Sequence, residues 1–399
     1  MNIDIDVFLK IFLRKKSYFE NDIKNNFNIL SNNILNKSVL VIGGAGTIGS
    51  SYIKELLKFK PSKLIVVDFN ENGLTELTRE LRSTNFLNYN IDFRTYPISL
   101  NDKVFDKLFK KESKFDIVAN FAAHKHVRSE KDIFSIEALI KNNVGGAIKL
   151  LDLVNKSGVE HFFSVSTDKA ANPVNIMGAS KSLMEKIILS YKNNFKVSTA
   201  RFANVAFSNG SLLDGFINRL NKKQPLSCPN DVKRFFVSPK ESGQICLLAS
   251  IVGKSGDVFF PKFDFKSDQI YFKDIALEFL NFIGLIPDIV NSENAARNYK
   301  FHNRESKKYP IYFFKTNTSG EKLYEEFYTN DEQFSLSKYD ALGVINNFEF
   351  EFDVKDLKNK LEHLFKKNQL VKIDLVNLIK DYLPDFDHIE TGKNLDQKM

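Results

Sequence analysis

Cysteine is scarce in this sequence, whose 399 residues include only Cys228 and Cys246. Two cysteines so far apart provide neither a disulfide framework nor the closely spaced ligands of a structural metal site. His124 and His126 lie close together, but no cluster of carboxylates or cysteines completes a coordination set around them. We therefore expect a protein of a reducing compartment, the cytoplasm, that binds no metal.

Blocks of like charge and long apolar runs are also missing. The formal net charge is +8, yet the lysines are scattered, which argues against a nucleic-acid-binding arm. The longest apolar stretches, such as residues 39–42 and 64–67, are much too short to span a bilayer. Asp4 and Asp6 precede the first apolar cluster, where a secretory signal peptide carries basic residues. The sequence therefore predicts neither an integral membrane segment nor a secretory leader.

The two ends of the chain carry helical patterns. Residues 1–36 have large apolar side chains at helical spacing, which predicts an extension of helices packed on the main body. Because the basic triplet Arg14–Lys16 follows the first apolar cluster, a helix lying on a membrane surface is the alternative. Residues 346–399 contain two amphipathic patterns, at 354–365 and 371–383, followed by a polar tail. These predict a C-terminal helical extension that supports an oligomer interface.

Between the extensions, short apolar runs alternate with amphipathic helical patterns over residues 37–203. The predicted strands are 39–42, 64–67, 117–122, 162–165 and 197–202, and the predicted helices are about 47–59, 71–83, 134–157 and 176–192. This alternation is typical of an α/β fold with a Rossmann-type, doubly wound parallel sheet. It ends after residue 203, so residues 204–345 are expected to form mainly a smaller substrate-binding lobe, with some segments returning to the Rossmann domain.

A glycine-rich segment follows the first predicted strand and opens the first helix of this region. In a dinucleotide-binding loop, three glycines allow a tight turn, the close approach of a pyrophosphate, and close packing of helix on strand. Gly43, Gly46 and Gly49 occupy these places. Asp68 ends the next strand, where a carboxylate accepts hydrogen bonds from an adenosine ribose and repels a 2′-phosphate. NAD is therefore the predicted cofactor, with a helix cap as the alternative role for Asp68 because Glu71 follows three residues later.

A hydroxyl, a carboxylic acid and an amine stand side by side where the fourth predicted strand ends, in Thr167, Asp168 and Lys169. Met177 and Lys181 follow on the next helix, one turn apart on the same face. Ligands bind at the carboxyl ends of the strands in such sheets, so these groups are placed to meet a substrate and a cofactor. An acid beside a base is suited to proton transfer. The alternative is a surface ion pair between Asp168 and Lys169.

Further segments resemble the extended short-chain dehydrogenase/reductases. They are Asn120–Val127, Asn143, Asn172–Lys181 and Arg201–Val205, in addition to the glycine loop and Ser166–Lys169. Within that superfamily, residues 37–330 look like the bacterial UDP-N-acetylglucosamine 4,6-dehydratases of surface-glycan biosynthesis. The Thr-Asp-Lys triplet is the specific feature, because sugar 4-epimerases of the same fold usually lack the acid and the amine.

The resemblance implies a reaction in which hydride leaves carbon 4 of the sugar, water is eliminated across carbons 5 and 6, and hydride returns to carbon 6. Lys169 is then the base at carbon 5, with a pKa lowered by burial and by Lys181 or the nicotinamide charge. Asp168 is the acid at the 6-hydroxyl, held protonated by a dry setting. Thr167 hydrogen-bonds the 4-oxygen, and Lys181 orients the nicotinamide ribose.

Met177 departs from the superfamily, which normally has a tyrosine four residues before the lysine to take the 4-hydroxyl proton. A thioether cannot take that proton. A methionine here resembles the membrane-anchored branch of these dehydratases, in which the triplet is thought to compensate and carbon 5 keeps its configuration. The resemblance thus implies a retaining dehydratase, and we expect Lys169 to serve as the base for both protons.

The predicted cofactor contacts are Gly43, Gly46, Thr47, Ile48, Gly49, Asp68, Ser99, Leu100, Ala122, Ala123 and Lys181. Ser99 stands where the family commonly has an adenine-contacting aspartate. Thr318–Lys322 replaces the family's Arg-Pro-Gly-Glu-Lys segment, so other donors must meet the substrate diphosphate. The predicted substrate contacts are Lys125, His126, Asn143, Asn204, Ser211, Arg234 and Lys322. Bidentate phosphate recognition favours Arg234, although a surface cation there and a packing amide at Asn143 are alternatives.

Two other functions stay open beside a dehydratase that acts on a UDP-sugar. A sugar epimerase of the same fold would leave the mass of its substrate unchanged. A sensor that has lost catalysis would bind NAD without turnover, which the missing tyrosine permits and the intact triplet argues against. The resemblance also implies a homo-oligomer, a dimer or higher.

Overall fold

The computed structural model describes residues 3–112, 114–301, 307–317, 320, 325–346, 351–367 and 369–392. Within these residues the α-helices are α1 (Ile5–Phe12), α2 (Glu20–Asn25), α3 (Phe27–Ile34), α4 (Thr47–Leu57), α5 (Glu71–Ser83), α6 (Lys103–Lys111), α7 (Ile133–Ile140), α8 (Gly146–Val154), α9 (Ile176–Ser190), α10 (Leu212–Asn221), α11 (Pro239–Val252), α12 (Phe272–Phe282), α13 (Glu293–Arg297), α14 (Val354–Leu364) and α15 (Lys372–Tyr382). A π-helical segment, Lys141–Gly145, joins α7 to α8.

The strands are β1 (Ser38–Ile42), β2 (Lys63–Asp68), β3 (Asp92–Pro97), β4 (Ile117–Asn120), β5 (His161–Val165), β6 (Lys196–Ala200), β7 (Asn204–Val205), β8 (Leu226–Pro229), β9 (Lys233–Arg234), β10 (Phe236–Val237), β11 (Asp257–Pro261), β12 (Ile270–Tyr271), β13 (Ile286–Val290), β14 (Lys308–Phe314), β15 (Phe334–Ser335) and β16 (Leu342–Ile345). The central sheet has the order β15-β16-β11-β6-β5-β4-β1-β2-β3. Neighbours from β11 to β3 are parallel, whereas β16 and β15 add antiparallel pairings at one edge. The predicted α/β fold with a Rossmann-type parallel sheet is confirmed.

Helices cover both faces of this sheet because its central strands are apolar on both sides. In β1, Val39 and Val41 join a core that includes residues of α4, α5 and α11. Leu40 and Ile42 point the other way, into a core that includes residues of α6 to α9. The parallel strands therefore bring all their carboxyl ends to one buried edge, where loops can build a site.

The alternation of strands and helices continues beyond residue 203, so the expectation that it ends there is wrong. Helix α11 packs on α4 so closely that a Cβ on Gly243 would lie 2.5 Å from the Ser51 carbonyl oxygen. Strand β11 follows it and pairs parallel with β6. Because α11 is buried on nearly every side, it lacks the amphipathic stripe by which sequence patterns reveal helices.

A second, smaller core lies outside the central sheet. Strands β13, β14 and β8 form a parallel sheet of their own. Phe216 of α10 and Phe279 of α12 are fully buried against this sheet, together with Phe8 of α1. The lobe is thus built from segments between β7 and β14, with the N-terminal extension completing its core.

The N-terminal extension packs on the main body, as its helical spacing predicts. Phe8 and Phe19 are buried in two different cores, whereas Ile11 is 71% exposed. Arg14 donates to the Glu241 carboxylate of α11 at 2.8 Å, and Asp22 accepts hydrogen bonds from the amides of residues 340 and 341. The extension therefore joins the smaller lobe to the sheet domain, and the apolar side chain of Phe8 is not available to a membrane surface.

The C-terminal helices α14 and α15 form where their amphipathic patterns predict. Their apolar side chains, including Leu357, Leu361, Leu375 and Ile379, are buried in the same core as α7 to α9. The faces that were expected to support an oligomer interface are therefore covered within this chain, and that expectation loses its basis. The oligomeric state itself stays a prediction.

A buried arginine links the sheet domain to the segment after residue 325. All five N–H groups of Arg201, which follows β6, are hydrogen-bonded: to Glu185 of α9, to Glu332 and to the Phe327 carbonyl oxygen. The Arg201 and Glu185 side chains are each 4% exposed. A buried ion pair of this kind stabilises the fold only when both partners are present. Removal of one partner leaves the other charge buried without a counter-ion, which is destabilising.

We predict that Arg201→Ala lowers the free energy of unfolding by about 3–5 kcal/mol, because it leaves the Glu185 and Glu332 carboxylates facing each other without a cation. Urea unfolding followed by circular dichroism measures this change. The matched control is Arg79→Ala, since Arg79 forms an ion pair with Glu76 in which both side chains are about three-quarters exposed. The control should shift stability by less than ~0.5 kcal/mol. A similar, small shift in both variants would contradict the prediction.

Candidate active site

The glycine loop lies between β1 and α4 and is shaped by close backbone contacts. Gly43 has φ +76°, a conformation that favours glycine, and a Cβ there would lie 2.5 Å from the Ala122 amide nitrogen. A Cβ on Gly49 would lie 2.3 Å from the Gly43 carbonyl oxygen. Helix α4 begins at Thr47 with Gly46 as its N-cap, and none of the side chains that the structure describes caps it there. Its first amides are therefore left for an anion at the sheet edge.

Asp68 braces this loop. Its carboxylate accepts hydrogen bonds from the Ala45 amide at 3.0 Å and the Asn70 amide at 2.9 Å. The N-cap of α5 is Asn70, whose side chain accepts from the Gly73 amide, so the alternative of a helix cap at Asp68 is wrong. Asp68 keeps free lone pairs at the end of β2. Its contact with a ribose stays a prediction.

The other predicted cofactor contacts lie at neighbouring strand ends. Ser99 and Leu100 follow β3, where the Ser99 hydroxyl accepts from the Asn101 amide and Leu100 is buried. Ala122 and Ala123 follow β4 and are half-buried, with Ala122 against Gly43. Thr47 accepts a hydrogen bond from the Asn209 amide, and the Ile48 side chain packs partly buried on the core. The structure thus brings this predicted set to one edge of the sheet.

The Thr-Asp-Lys triplet forms a compact cluster after β5. Asp168 is 2% exposed and accepts hydrogen bonds from the Thr167 hydroxyl at 2.6 Å and the Lys169 ammonium at 3.1 and 3.2 Å. The adjacent Ser166 hydroxyl is buried and has no partner within the described part of the chain. The alternative of a surface ion pair is wrong, because the carboxylate lies inside the protein.

Asp168 is a carboxylate in this arrangement of charges. Burial alone would raise its pKa, but the Lys169 ammonium, the Thr167 hydroxyl and the Arg234 guanidinium together hold the pKa of Asp168 below its usual value. The expectation that a dry setting keeps Asp168 protonated is therefore wrong. The nearby cations and the Thr167 hydroxyl together lower the pKa of Asp168 by more than burial raises it.

Lys181 and Met177 lie on the buried face of α9. The Lys181 amine donates to the Val165 carbonyl oxygen at 3.2 Å, at the end of β5. Its burial lowers the pKa of Lys181 to about 8 from the usual 10.5, with Glu185 acting against the shift. The Met177 side chain is 2% exposed inside an apolar core, and its amide donates to Glu130. Met177 therefore offers no proton-transferring group, and a catalytic role for it stays a prediction.

Asn143 holds the loop after β4 in place. Its side chain accepts from the His124 amide at 2.8 Å and donates to the His124 carbonyl oxygen and the Ser180 hydroxyl, each at 2.9 Å. It is 1% exposed, in the π-helical segment. The predicted substrate contact at Asn143 is therefore corrected to a packing amide, because its hydrogen-bonding groups face the protein.

Two neighbours of this loop, Lys125 and His126, are exposed. Lys125 donates to the Asn209 carbonyl oxygen at 2.8 Å, and the His126 ring lies beside Gly210. Ser211 follows as the N-cap of α10, accepting from the Asp214 amide. The structure thus gathers these three predicted substrate contacts, whereas Lys322 lies outside the described residues.

Arg234 is buried and not a surface cation, so that alternative is wrong. It is 7% exposed, with its Nε 3.7 Å from a carboxylate oxygen of Glu325. Asn204, another predicted substrate contact, also donates to Glu325. Glu325 is 1% exposed, and burial together with Asp168 raises the pKa of Glu325 to about 7. Local sequence patterns indicate no role for this carboxyl, and its only signal is its place three residues beyond Lys322, a predicted substrate contact.

Among the residues that the structure describes, no helix combines the length and the apolar character needed to cross a membrane. Within the same ranges, no three His, Cys, Asp or Glu side chains are grouped so that they could hold a metal ion.

We predict that Lys181→Met raises the free energy of unfolding by about 1–3 kcal/mol at neutral pH, because it removes a buried charge. The folded-state pKa of about 8 lies below the usual 10.5, so the wild-type protein gains stability as pH rises through this window. The difference in the free energy of unfolding between the variant and the wild type should therefore become smaller from about pH 8 to 10.5. Denaturant unfolding across this range measures it.

The matched control is Lys107→Met, at an exposed position of α6. It should leave stability within ~0.5 kcal/mol of the wild type at every pH. A Lys181→Met protein that is less stable than wild type at neutral pH would contradict the assigned cost of the buried amine.

Comparisons with known proteins match the whole central part of the chain. Residues 39–347 match the family described as polysaccharide biosynthesis protein. A protein of Methanocaldococcus jannaschii, named as an uncharacterized membrane protein, is 34% identical over 80% of this chain and 88% of its own length. Capsular polysaccharide biosynthesis protein CapD of Staphylococcus aureus is 28% identical over 86% of this chain, but the match spans only 54% of that protein.

Relatives with named activities are of two kinds. A UDP-N-acetylglucosamine 4,6-dehydratase (inverting) of Campylobacter jejuni is 30% identical over 57% of this chain and 67% of its own length. A UDP-glucose 4-epimerase of Rickettsia bellii is 28% identical over 81% of this chain and 85% of its own.

Solved structures share the fold at low sequence identity. Pen from Bacillus thuringiensis is similar with a TM-score of 0.63 at 23% identity, covering 79% of this chain and 90% of that one. A dTDP-glucose 4,6-dehydratase from Streptomyces venezuelae, with NAD and TYD bound, gives a TM-score of 0.55 at 17% identity, over 87% and 97% of the two chains. The match over residues 39–347 and the Rossmann-type sheet lead to one conclusion: the chain belongs to the polysaccharide biosynthesis protein family of extended short-chain dehydrogenase/reductases.

Proposed function

We propose that this protein is a nucleotide-sugar 4,6-dehydratase that converts UDP-N-acetylglucosamine to a UDP-4-keto-6-deoxy-N-acetylhexosamine for surface-glycan biosynthesis. The observation that carries this proposal is the buried contact of the Asp168 carboxylate with the Lys169 ammonium and the Thr167 hydroxyl, at the carboxyl end of β5. Elimination of water needs an acid and a base at one point of the substrate, and this contact supplies both.

An epimerase is the second candidate, since relatives with that name match most of the chain. Epimerisation at carbon 4 removes hydride and returns it to the opposite face, so it needs no acid at carbon 6. A buried carboxylate held by an amine has no task in that reaction, whereas elimination uses both groups. The relative named as a dehydratase supports the same choice.

NAD is the proposed cofactor, and it supplies a hydride acceptor and donor when bound. The glycine loop fits such a dinucleotide, because a side chain at Gly43 or Gly49 would collide with backbone and, among the described residues, no side chain caps the start of α4. Asp68 braces the loop from the end of β2, where it would accept from the adenosine ribose. The same carboxylate disfavours NADP.

The Asp168–Lys169 pair becomes an acid and an amine by an internal proton transfer. A sugar bound over the pair excludes water, and desolvation favours the neutral forms of both groups. The proton then moves from the Lys169 ammonium to the Asp168 carboxylate across the 3.1 Å contact. The neutral Lys169 takes the proton of the 4-hydroxyl and releases it to solvent, and it then takes the proton of carbon 5 while Asp168 protonates the leaving 6-hydroxyl. When hydride returns to carbon 6, Lys169 gives its proton back to carbon 5 and regains an ammonium proton from solvent. In this sequence of steps, Asp168 receives its proton from Lys169 only after the sugar binds, and it is not protonated beforehand.

Lys181 and Met177 complete the proposal. The Lys181 amine donates to the Val165 carbonyl oxygen at the end of β5, where it would orient the nicotinamide ribose. The buried thioether of Met177 cannot accept a proton, so Lys169 takes the 4-hydroxyl proton that a tyrosine would otherwise take. Lys169 also removes and returns the carbon-5 proton from the same face of the sugar. A single base on one face favours retention of configuration at carbon 5. We also propose a cytoplasmic homo-oligomer, on the basis of the cysteine usage and the family resemblance.

The first test is mass spectrometry of UDP-N-acetylglucosamine after incubation with the purified protein, with and without added NAD. Loss of one water, giving a 4-keto-6-deoxy product, is the expected result. A substrate of unchanged mass whose configuration at carbon 4 has changed would replace the dehydratase with an epimerase. Bound NAD with no change in any UDP-sugar would favour a sensor.

We predict that Lys169→Ala abolishes both product formation and the appearance of NADH, each by at least about 100-fold, because Lys169 takes the hydroxyl proton as well as the carbon-5 proton. Absorbance of NADH in a single turnover and mass spectrometry of the product measure the two steps. The matched control is Lys107→Ala, at an exposed site on α6. NADH formation that survives in Lys169→Ala would show that another group takes the hydroxyl proton.

A further inference from the structure

Glu325 is a buried carboxyl that the proposed reaction does not use. It is 1% exposed, and it lies close enough to the triplet for Asp168 and Lys169 to act on its charge. The charged groups that act on it are Asp168 and Lys169 from the turn after β5, and Arg234 from β9. Two carboxyls and two cations thus share one buried cluster, and removing any member changes the charge felt by the other three.

The two carboxylate oxygens of Glu325 hold two different elements. One accepts from the Asn204 side-chain amide of β7, and the other accepts from the Phe235 backbone amide at 2.8 Å. Arg234 precedes Phe235, and its Nε lies 3.7 Å from Glu325. Asn204 and Arg234 are both predicted substrate contacts, so the orientation of two groups that would meet a sugar nucleotide depends on one side chain.

The charge on Glu325 depends on this cluster. Burial and the Asp168 carboxylate raise the pKa of Glu325 to about 7, whereas Lys169 and Arg234 act in the opposite direction. Asp168 has the closer cation, at 3.1 Å, and keeps its negative charge. Glu325 has its cation at 3.7 Å and is the carboxyl that gains or loses a proton near neutral pH.

We propose that Glu325 is a positioning residue of the sugar-nucleotide site, which fixes Asn204 and Arg234 and takes up a proton when a nucleoside diphosphate binds at Arg234. The inference rests on the proposed function only for the class of ligand. The diphosphate brings negative charge to Arg234 and occupies the cation that stabilises the Glu325 carboxylate. Both effects favour the protonated carboxyl, so binding and proton uptake are linked.

The direction of the pH dependence follows from this linkage. Above about pH 7 the free protein carries an ionised Glu325, and diphosphate binding draws in a proton. Well below that pH Glu325 is already protonated, so uptake vanishes. Diphosphate affinity should accordingly fall as pH rises above neutrality, by up to tenfold per pH unit if one full proton is taken up.

Isothermal titration calorimetry of UDP binding to the full chain near pH 8 tests the proposal. At about this pH the free UDP is fully ionised, so protons taken up go to the protein. Measurements in buffers of different ionisation enthalpy give the number of protons per UDP bound. The wild type should take up between about half and one proton, and the number should fall towards zero about two pH units lower.

Two substitutions separate position from charge. In Glu325→Gln the new amide keeps the shape: its oxygen can accept from the Phe235 amide while Asn204 turns to accept from its nitrogen. This variant should bind UDP up to about tenfold more tightly than the wild type near pH 8, because its neutral side chain needs no proton, and it should show no proton uptake. Glu325→Ala removes both hydrogen bonds and should weaken UDP binding at least about tenfold. The matched control is Glu326→Gln, since the adjacent Glu326 side chain accepts from Asn172 and not from Asn204; it should keep the wild-type proton uptake.

Each result decides the proposal. Proton uptake that persists in Glu325→Gln would assign the proton to another group and overturn it. Wild-type binding of UDP without proton uptake would overturn it as well, as would an absence of UDP binding. Failure of the dehydratase proposal is read separately, from the mass of UDP-N-acetylglucosamine, because UDP binding needs no turnover.

Discussion

The buried guanidinium of Arg201 is the constraint on which the arrangement of the site depends. It stands at the end of β6 and uses all its N–H groups to hold α9 through Glu185 and the 325–335 segment through Glu332 and Phe327. Helix α9 carries Lys181 one turn before Glu185, and Glu325 lies two residues before Phe327. The positions of Lys181 and Glu325, the two groups near the triplet with shifted pKa values, therefore depend on this one side chain, which is 3% exposed.

Competition between desolvation and pairing decides which group in the site is charged. Lys181 has no carboxylate within hydrogen-bonding distance among the described residues, and burial moves its pKa to about 8. Asp168 is equally buried, but the Lys169 ammonium at 3.1 Å reverses the effect of burial. The cation nearest to Glu325 is at 3.7 Å, too far to reverse the effect of burial, so the pKa of Glu325 is raised to about 7. A shift of one pKa unit corresponds to only about 1.4 kcal/mol, so an anion bound at Arg234 would be enough to change the charge of Glu325.

The sequence predicts those parts of the fold that follow from local pattern. Strand β1, the glycine turn at Gly43 and the helix after it are signalled by a short apolar run, a residue suited to positive φ and a 3.6-residue period. Helix α11 and strand β11 were missed because a helix buried on all sides has no polar face, so its pattern differs little from that of an irregular apolar segment.

The candidate site was predictable to the extent that its residues lie within one motif. Thr167, Asp168 and Lys169 are neighbours in sequence, and their contact follows from the chain itself. The sequence pattern indicates that Asp168 is buried, which favours its protonated form. It does not give the distance to the Lys169 ammonium, and that distance decides that Asp168 is ionised. Glu325 lies 157 residues from Asp168 in sequence and shares its electrostatic environment only after folding. An interaction between residues so far apart in sequence cannot be predicted from local sequence patterns.

The C-terminal extension shows that the site also depends on residues outside the family resemblance. Glu130 holds the start of α9 by accepting from the Met177 amide, and its second carboxylate oxygen lies 3.2 Å from the His388 ring. The Ile389 amide donates to the Val174 carbonyl oxygen in the loop before α9. The turn that carries Met177 is therefore held in place by contacts with the last described segment. Since a helix start held from two sides cannot shift without breaking both contacts, the extension sets the position of Lys181 as well.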